Sequence, residues 1–401
     1  MTALFDRLAT AFGTDAVDYW HQTPRVSPDS IDMACEVMRL AAHEHLHVLP
    51  AGACEHLPPG SHADLVFSTR RLTRIHEYEP EEMVLVTEAG LTLHALTALT
   101  APHRQRLGPS PWPGVAATLG GAVAGARANL DRRGRGAMRD VILGARVLHA
   151  DGRTSKTGGK VVKNVTGYDL SKLYTGSRGA LAILMELNLR LAPVPEATSV
   201  MAATVPASRA REHLLALHRA PLAPVALLLV AGDIASWPAP RDHVHVVARF
   251  EGSEAGVAWQ RTEAARIVPG MKPVEDPQAW ESLRQMAEPH DDAIVLQIAS
   301  LPVDGPTILA RLDEIAPNVH GVAQFGVGVA HARLPHSVSV AELEAALASI
   351  GANIRVLDAP ANIDTGTPVR DSYAQRLMHK IKNQLDPEAR FPAVPALEAK
   401  S

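Results

Sequence analysis

The run ALAILMELNLRLAPVP, residues 180–195, limits the possible folds more than any other stretch of the chain. Leu187, Leu189 and Leu191 alternate with Glu186, Asn188 and Arg190, the two-residue period of a strand with one buried face. Pro193 and Pro195 then withhold the amide donors that a sheet ladder needs, so the strand and a domain should end together. At 401 residues the chain exceeds what one compact core usually organises, and two domains follow. The expected boundaries are 1–195 for the first domain, 196–368 for the second, and 369–401 for a closing helix and loop that return to the first.

Local patterns fill in both parts. SPDSIDMACEVMRLAAHEH places Ile31, Ala34, Val37, Met38 and Ala41 at helical spacing, with Ser27 as the expected N-cap and Pro28 at the first helical position. LHVLPAGACEHL reads as a strand and a turn of small residues. ADLVFSTRRLTRIHEYEPEEMVLVTEAGLTLHAL reads as strand, polar link, strand and helix start. VILGARVLHADGRTSKTGG predicts a hairpin turning at Asp151-Gly152. TLGGAVAGARANLDRRGRGAMRD, rich in glycine and alanine, reads as a loop, either ligand-facing or on the surface. Beyond Pro195, strands and helices alternate in an order best met by an antiparallel sheet with helices on one face.

Charge and composition remove several function classes. A net charge of −4 supplies no basic field for nucleic acid. Cys35 and Cys54 are too few to hold an iron–sulfur cluster or a structural zinc, and they fit a reducing, cytoplasmic compartment. Asp6 and Arg7 interrupt any leader-like apolar stretch at the N-terminus. The most apolar run, PVALLLVAG at 224–232, is far shorter than the roughly 20 residues a bilayer span requires. Any association with the inner face of the cell membrane would therefore be peripheral, through partners.

The stretch GGKVVKNVTGYDLSKLYTGSRG, residues 158–179, invites a nucleotide reading. A P-loop fails on spacing: Thr154 stands where its first glycine should be, and Val161 where a hydroxyl should hold magnesium. No GxGxxG follows a strand, and there is no HExxH, paired CxxC or serine nucleophile elbow. The 19 histidines show no metal-ligand spacing, and His331 in FGVGVAHARLP is isolated.

Taken whole, residues 158–195 resemble the signature region of the FAD-binding E subunits of bacterial glycolate oxidases, within the vanillyl-alcohol oxidase and p-cresol methylhydroxylase superfamily. LVFSTRRLTRIHEYEPEEMVLVTEAGLTL, ATLGGAVAG and RDVILGARVLHADGR look like the same family in the same order, and RLMHKIKNQLDPEARF resembles its closing helix and loop. The resemblance implies an α+β fold: a p-cresol methylhydroxylase-type FAD-binding domain of two α+β subdomains, followed by an α+β cap domain with an antiparallel sheet. It implies non-covalent FAD, and as partners a catalytic FAD-containing subunit and an iron–sulfur subunit.

Carried onto this sequence, the resemblance places the first pyrophosphate loop on Gly52, Ala53, Cys54, Glu55 and His56. It places the second flavin segment on Thr118, Gly120, Gly121, Ala124 and Gly125, followed by Arg139 and Asp140. Asn164, Gly167, Tyr168 and Asp169 come near the ligand, with Gly179 and Ile183 toward the adenine side. Small residues in tight turns suit this task because they let several backbone N–H donors approach a diphosphate and leave a flat slot for a ring.

The sequence also departs from the family pattern. Glu55 stands where a hydroxyl would be welcome, and a carboxylate there opposes a diphosphate by roughly 1 to 4 kcal/mol. Cys54 and His56 raise a covalent link, but His56 is one position off the tethering histidine and Cys54 reads more simply as a small packed residue. Lys160, Lys163 and Lys172 either balance diphosphate charge or are solvated. Tyr168 either closes the slot or fills core beside Leu170. No base is assigned. The expected function is that of an FAD-binding subunit in a glycolate-oxidase-like 2-hydroxyacid dehydrogenase, relaying electrons from a catalytic flavoprotein partner or stabilising it. The alternatives are a scaffold that has lost FAD and a stand-alone flavin-dependent alcohol oxidase.

Overall fold

The computed structural model describes residues 2–54, 57, 63–110, 116–159, 168–232, 238–240, 242–288, 290, 292–317, 319–359 and 373–393. The chain forms two compact units. The first comprises Met1–Arg127, Met138–Pro193 and Val369–Ser401, and the second Ala128–Ala137 and Val194–Pro368. One division follows Pro193. Residues 128–137, expected in the first domain, belong to the second unit.

In the first unit a four-stranded sheet runs in the order Val17–Trp20, Thr23–Val26, Leu65–Ser68, Val48–Ala51, with one hairpin and two parallel pairings. Helices Thr2–Phe12 and Ile31–His43 cover it, and Leu8, Ala34, Val37, Met38, Leu65 and Phe67 make a shared core. The N-cap of Ile31–His43 is Ser30, not Ser27, because the Ser30 hydroxyl accepts the Met33 amide at 3.4 Å. Ser27 is buried, and its amide donates to the Ala16 carbonyl instead.

A second, antiparallel sheet follows the order Ile75–Glu79, Val84–Glu88, Ile183–Pro193, Ile142–Leu148, Thr154–Gly158, and Gln105–Leu107 pairs beside the end of the central strand. The alternating run of residues 180–195 therefore supplies the central strand, Ile183–Pro193. It places Leu187, Leu189 and Leu191 in one core with Leu96, Leu119 and Val123 from helices Leu93–Thr100 and Leu119–Gly125. The C-terminal helix Tyr373–Leu385 sets Ile381 and Leu385 against this core, and Phe391 enters the core of the first sheet. Burying Phe391 contributes about 1.5 to 3 kcal/mol, enough to hold the last described residues onto the unit.

The second unit is an eight-stranded antiparallel sheet in the order Lys272–Pro273, Ala197–Pro206, His243–Gly252, Ala226–Ala231, His320–Gln324, Val329–Pro335, Ala293–Ala299, Asn353–Asp358. Helices Ala207–Arg219, Glu254–Ile267, Gly305–Ile315 and Val340–Ala348 bury Leu214, Val257, Leu312 and Leu343 in one core with alternate strand residues such as Val246, Ala248 and Phe250. Residues 128–137 attach to this unit through Arg135, which pairs with Asp131 at 2.7 Å and with Glu251, and through the Gly134 amide on the Val225 carbonyl at 3.1 Å. Among the described residues no helix is long and apolar enough to cross a membrane.

Candidate functional site

The strand Val48–Ala51 lies at the edge of the first sheet, where Pro50 costs no ladder bond, and it runs directly into Gly52, Ala53 and Cys54. Neighbouring hydroxyls and amides pin this turn. Ser68 Oγ donates to the Gly52 carbonyl at 2.6 Å and the Thr69 amide to the Ala51 carbonyl at 2.9 Å. Cys54 adopts a left-handed backbone with φ 67°, which aims its thiol at Arg25, 3.8 Å away. Arg25 also grips Asp18 with two bonds of 2.8 and 2.6 Å, and Arg70 adds a third at 2.9 Å. The Arg25 guanidinium holds the Asp18 carboxyl below the usual aspartate range. Burial pushes the Cys54 thiol up, with Arg25 opposing, so the thiol stays protonated near neutrality and is no thiolate nucleophile.

The segment expected as a loop at residues 118–125 is a helix, Leu119–Gly125, despite three glycines. Tertiary bonds override the poor helix propensity of glycine here. Thr118 caps it by accepting the Gly121 amide at 3.1 Å, while the Leu119 and Gly120 amides donate to the Leu91 and Ala89 carbonyls at 2.9 and 2.7 Å. At its other end the Gly176 and Arg178 amides each donate at 3.0 Å, to the Val123 and Ala124 carbonyls. The turn 176–179 therefore closes the helix, and Gly179 completes that turn with φ 77°.

Glycine contacts show how these three turns meet. A Cβ on Gly52 would collide with Thr118 Oγ1, one on Gly120 would lie 2.9 Å from Ala89 Cβ, and one on Gly179 would lie 2.8 Å from Pro50 Cβ. Gly121 and Gly125 differ. Among the described residues a Cβ on Gly121 would find Thr118 Oγ1 at 3.2 Å, and one on Gly125 would meet no atom within 4 Å. Gly52, Gly120 and Gly179 are thus small because protein presses on them, whereas no described residue crowds Gly121 or Gly125 in this way. The small residues of these turns are compatible with a flat ligand lying against the backbone, and Arg25 and Arg70, both paired with Asp18, lie beside the first turn.

The structure brings together Gly52, Ala53, Cys54, Thr118, Gly120, Gly121, Ala124, Gly125 and Gly179 in this way. Ile183 lies four residues beyond Gly179, with its side chain buried in the core shared by Val48, Phe67 and Leu148. Arg139 and Asp140 sit on a short turn with exposed side chains 3.8 Å apart, and the Asp140 carbonyl accepts from Arg190. Tyr168 is 95% exposed, so it fills no core. Asp169 pairs with Lys172 at 2.9 Å near solvent. Glu55, His56, Lys160, Lys163, Asn164 and Gly167 lie outside the described residues. His331 is fully buried in the second unit's sheet, opposite Val322 and Gln297.

Sequence reading missed Pro50, Ala89 and Arg178, which carry no chemical motif and act through backbone position. It also missed Arg25, Asp18 and Arg70, whose grouping depends on a hairpin and a neighbouring strand that set them together.

Residues 24–158 match the FAD binding domain family. Over 234 residues the chain is 33% identical to glycolate oxidase subunit GlcE of Escherichia coli K12, spanning 58% of this chain and 62% of that protein. It is 31% identical over 185 residues to D-lactate dehydrogenase of Archaeoglobus fulgidus, covering 45% of this chain and 41% of that one. It is 27% identical over 198 residues to glycolate oxidase subunit GlcD of Bacillus subtilis, covering 48% and 42%. The chain thus aligns with between 41 and 62% of the length of these curated relatives. A solved alkyldihydroxyacetonephosphate synthase superposes with a TM-score of 0.65 over 93% of this chain and 76% of that one, at 15% identity, which establishes the α+β fold alone.

Proposed function

We propose that this chain, whose residues 24–158 carry an FAD binding domain, is the FAD-binding subunit of a glycolate-oxidase-like 2-hydroxyacid dehydrogenase. The observation that carries the reading is the convergence of the turns at Gly52, Thr118–Gly120 and Gly179 beside Gly121 and Gly125, which no described residue crowds. The named relatives act on glycolate and D-lactate, both 2-hydroxyacids, which supports the substrate class. In this reading the backbone of Gly52–Cys54, with Arg25 and Arg70 nearby, holds the diphosphate. The Gly121 and Gly125 side of the helix admits the rest of the cofactor without steric obstruction.

When bound, the flavin supplies a group that accepts electrons and passes them on. The protein's part is to bind and orient it. No group among the described residues is assigned as the base that takes the hydroxyl proton, so substrate deprotonation falls to a catalytic flavoprotein partner, and onward transfer to an iron–sulfur subunit. This chain relays electrons from that partner or stabilises it, at the inner face of the membrane through its partners.

The test is a cofactor assay on the purified chain. Oxidised flavin absorbs near about 450 nm, and denaturation should release free FAD in amounts close to one per chain. A colourless protein that takes up no FAD on titration would overturn the reading. Bleaching by 2-hydroxyacids without partners would move catalysis into this chain.

A further inference from the structure

Lys382 is buried at 6% exposure, and three bonds occupy its ammonium group. It donates to the Ala180 carbonyl at 2.8 Å, to the Phe391 carbonyl at 3.0 Å and to Asp386 Oδ2. Asp386, 1% exposed, in turn accepts the Arg390 and Phe391 amides at 3.0 and 2.9 Å. The Arg390 carbonyl then accepts the Val48 amide at 2.7 Å. The two segments reached this way already touch, because Gly179, next to Ala180, packs against Pro50, two residues past Val48. The contacts close a ring: Lys382, Ala180–Gly179, Pro50–Val48, Arg390–Phe391, and back to Lys382.

That ring lies directly behind two of the three converging turns. Pro50 leads into Gly52–Cys54, and Gly179 ends the turn that closes the helix Leu119–Gly125. A buried ion pair is a poor source of net stability, since desolvation offsets most of its attraction and an apolar replacement of similar size is often neutral. A lysine here offers something an apolar residue cannot: three directed donors that fix the distances between three separate segments.

We infer that Lys382 is a positioning residue for the dinucleotide site, setting the spacing between the Gly52–Cys54 turn and the Gly176–Gly179 turn from behind. The inference rests on the proposed FAD site, and it adds that the far C-terminal segment governs cofactor affinity without touching the cofactor.

The experiment is FAD titration of wild-type, Lys382→Met and Lys382→Gln apoproteins at about 15 °C, near the usual maximum of stability, where the folded state of each is checked by circular dichroism. The Met variant should bind FAD about tenfold more weakly, and the Gln variant, which keeps two donors, should recover part of the loss. A role confined to stability would lower the melting temperature and leave affinity at that temperature unchanged. Affinity within about twofold of wild type in the Met variant would sink the inference. Should both variants fail to fold, hydrogen exchange on wild type decides. FAD should slow exchange at Val48, Arg390 and Phe391, and an absence of protection there would count equally against it. Wild-type protein that takes up no FAD would instead refute the site itself.

Discussion

Two sets of glycines lie within one short region and do opposite jobs. Gly52, Gly120 and Gly179 are pressed against Thr118, Ala89 and Pro50, whereas Gly121 and Gly125 are not crowded in this way by any described residue. In the proposed FAD site, a motif rich in glycine thus mixes residues needed by the apoprotein with residues that matter to a ligand. Substitution should separate the two sets, because steric damage in the first acts on folding and in the second on binding.

The largest effect is expected at Gly120→Val, whose Cβ would sit 2.9 Å from Ala89 Cβ and 3.0 Å from the Ala89 carbonyl. Overpacking of this kind costs about 3 kcal/mol, so the apoprotein should melt well below wild type and retain no FAD. Gly179→Ala follows, since it must hold a left-handed backbone at φ 77° and meet Pro50; about 2 kcal/mol is expected from denaturant unfolding.

Smaller, and dependent on pH, is Asp18→Asn beside the first turn. The folded-state pKa of Asp18 lies below the ordinary 3.8, so its contribution is present above that value and is lost as pH falls through the lowered folded value. Variant and wild type should differ by at most about 1 kcal/mol at neutral pH and converge in acid, as followed by urea midpoints across pH.

The sharpest test of the comparison is Gly125→Val. The apoprotein should keep its stability to within about 0.5 kcal/mol while losing FAD. Equal flavin content in that variant would place the ligand elsewhere.

Much of the scaffold could be read from the chain because its signals are local. The alternation from Leu187 to Leu191, the Asp151-Gly152 turn and the helix Ile31–His43 each follow from side-chain period or turn chemistry. The helix Leu119–Gly125 could not be read this way, because its bonds come from the Ala89 and Leu91 carbonyls, nearly 30 residues earlier. The division of labour among the glycines was hidden for the same reason: what surrounds a missing Cβ is decided by distant segments. Ser27 and Ser30 are equally good caps by type, and the bond from the Met33 amide to the Ser30 hydroxyl settles between them.

The ring through Lys382 and Arg390 bears on biogenesis as well. Its last members follow the second unit in the chain, so the contacts that close the first unit form only after the whole second unit has been synthesised. Chains truncated before Arg390 would lack the Val48–Arg390 and Lys382–Phe391 bonds that close the ring.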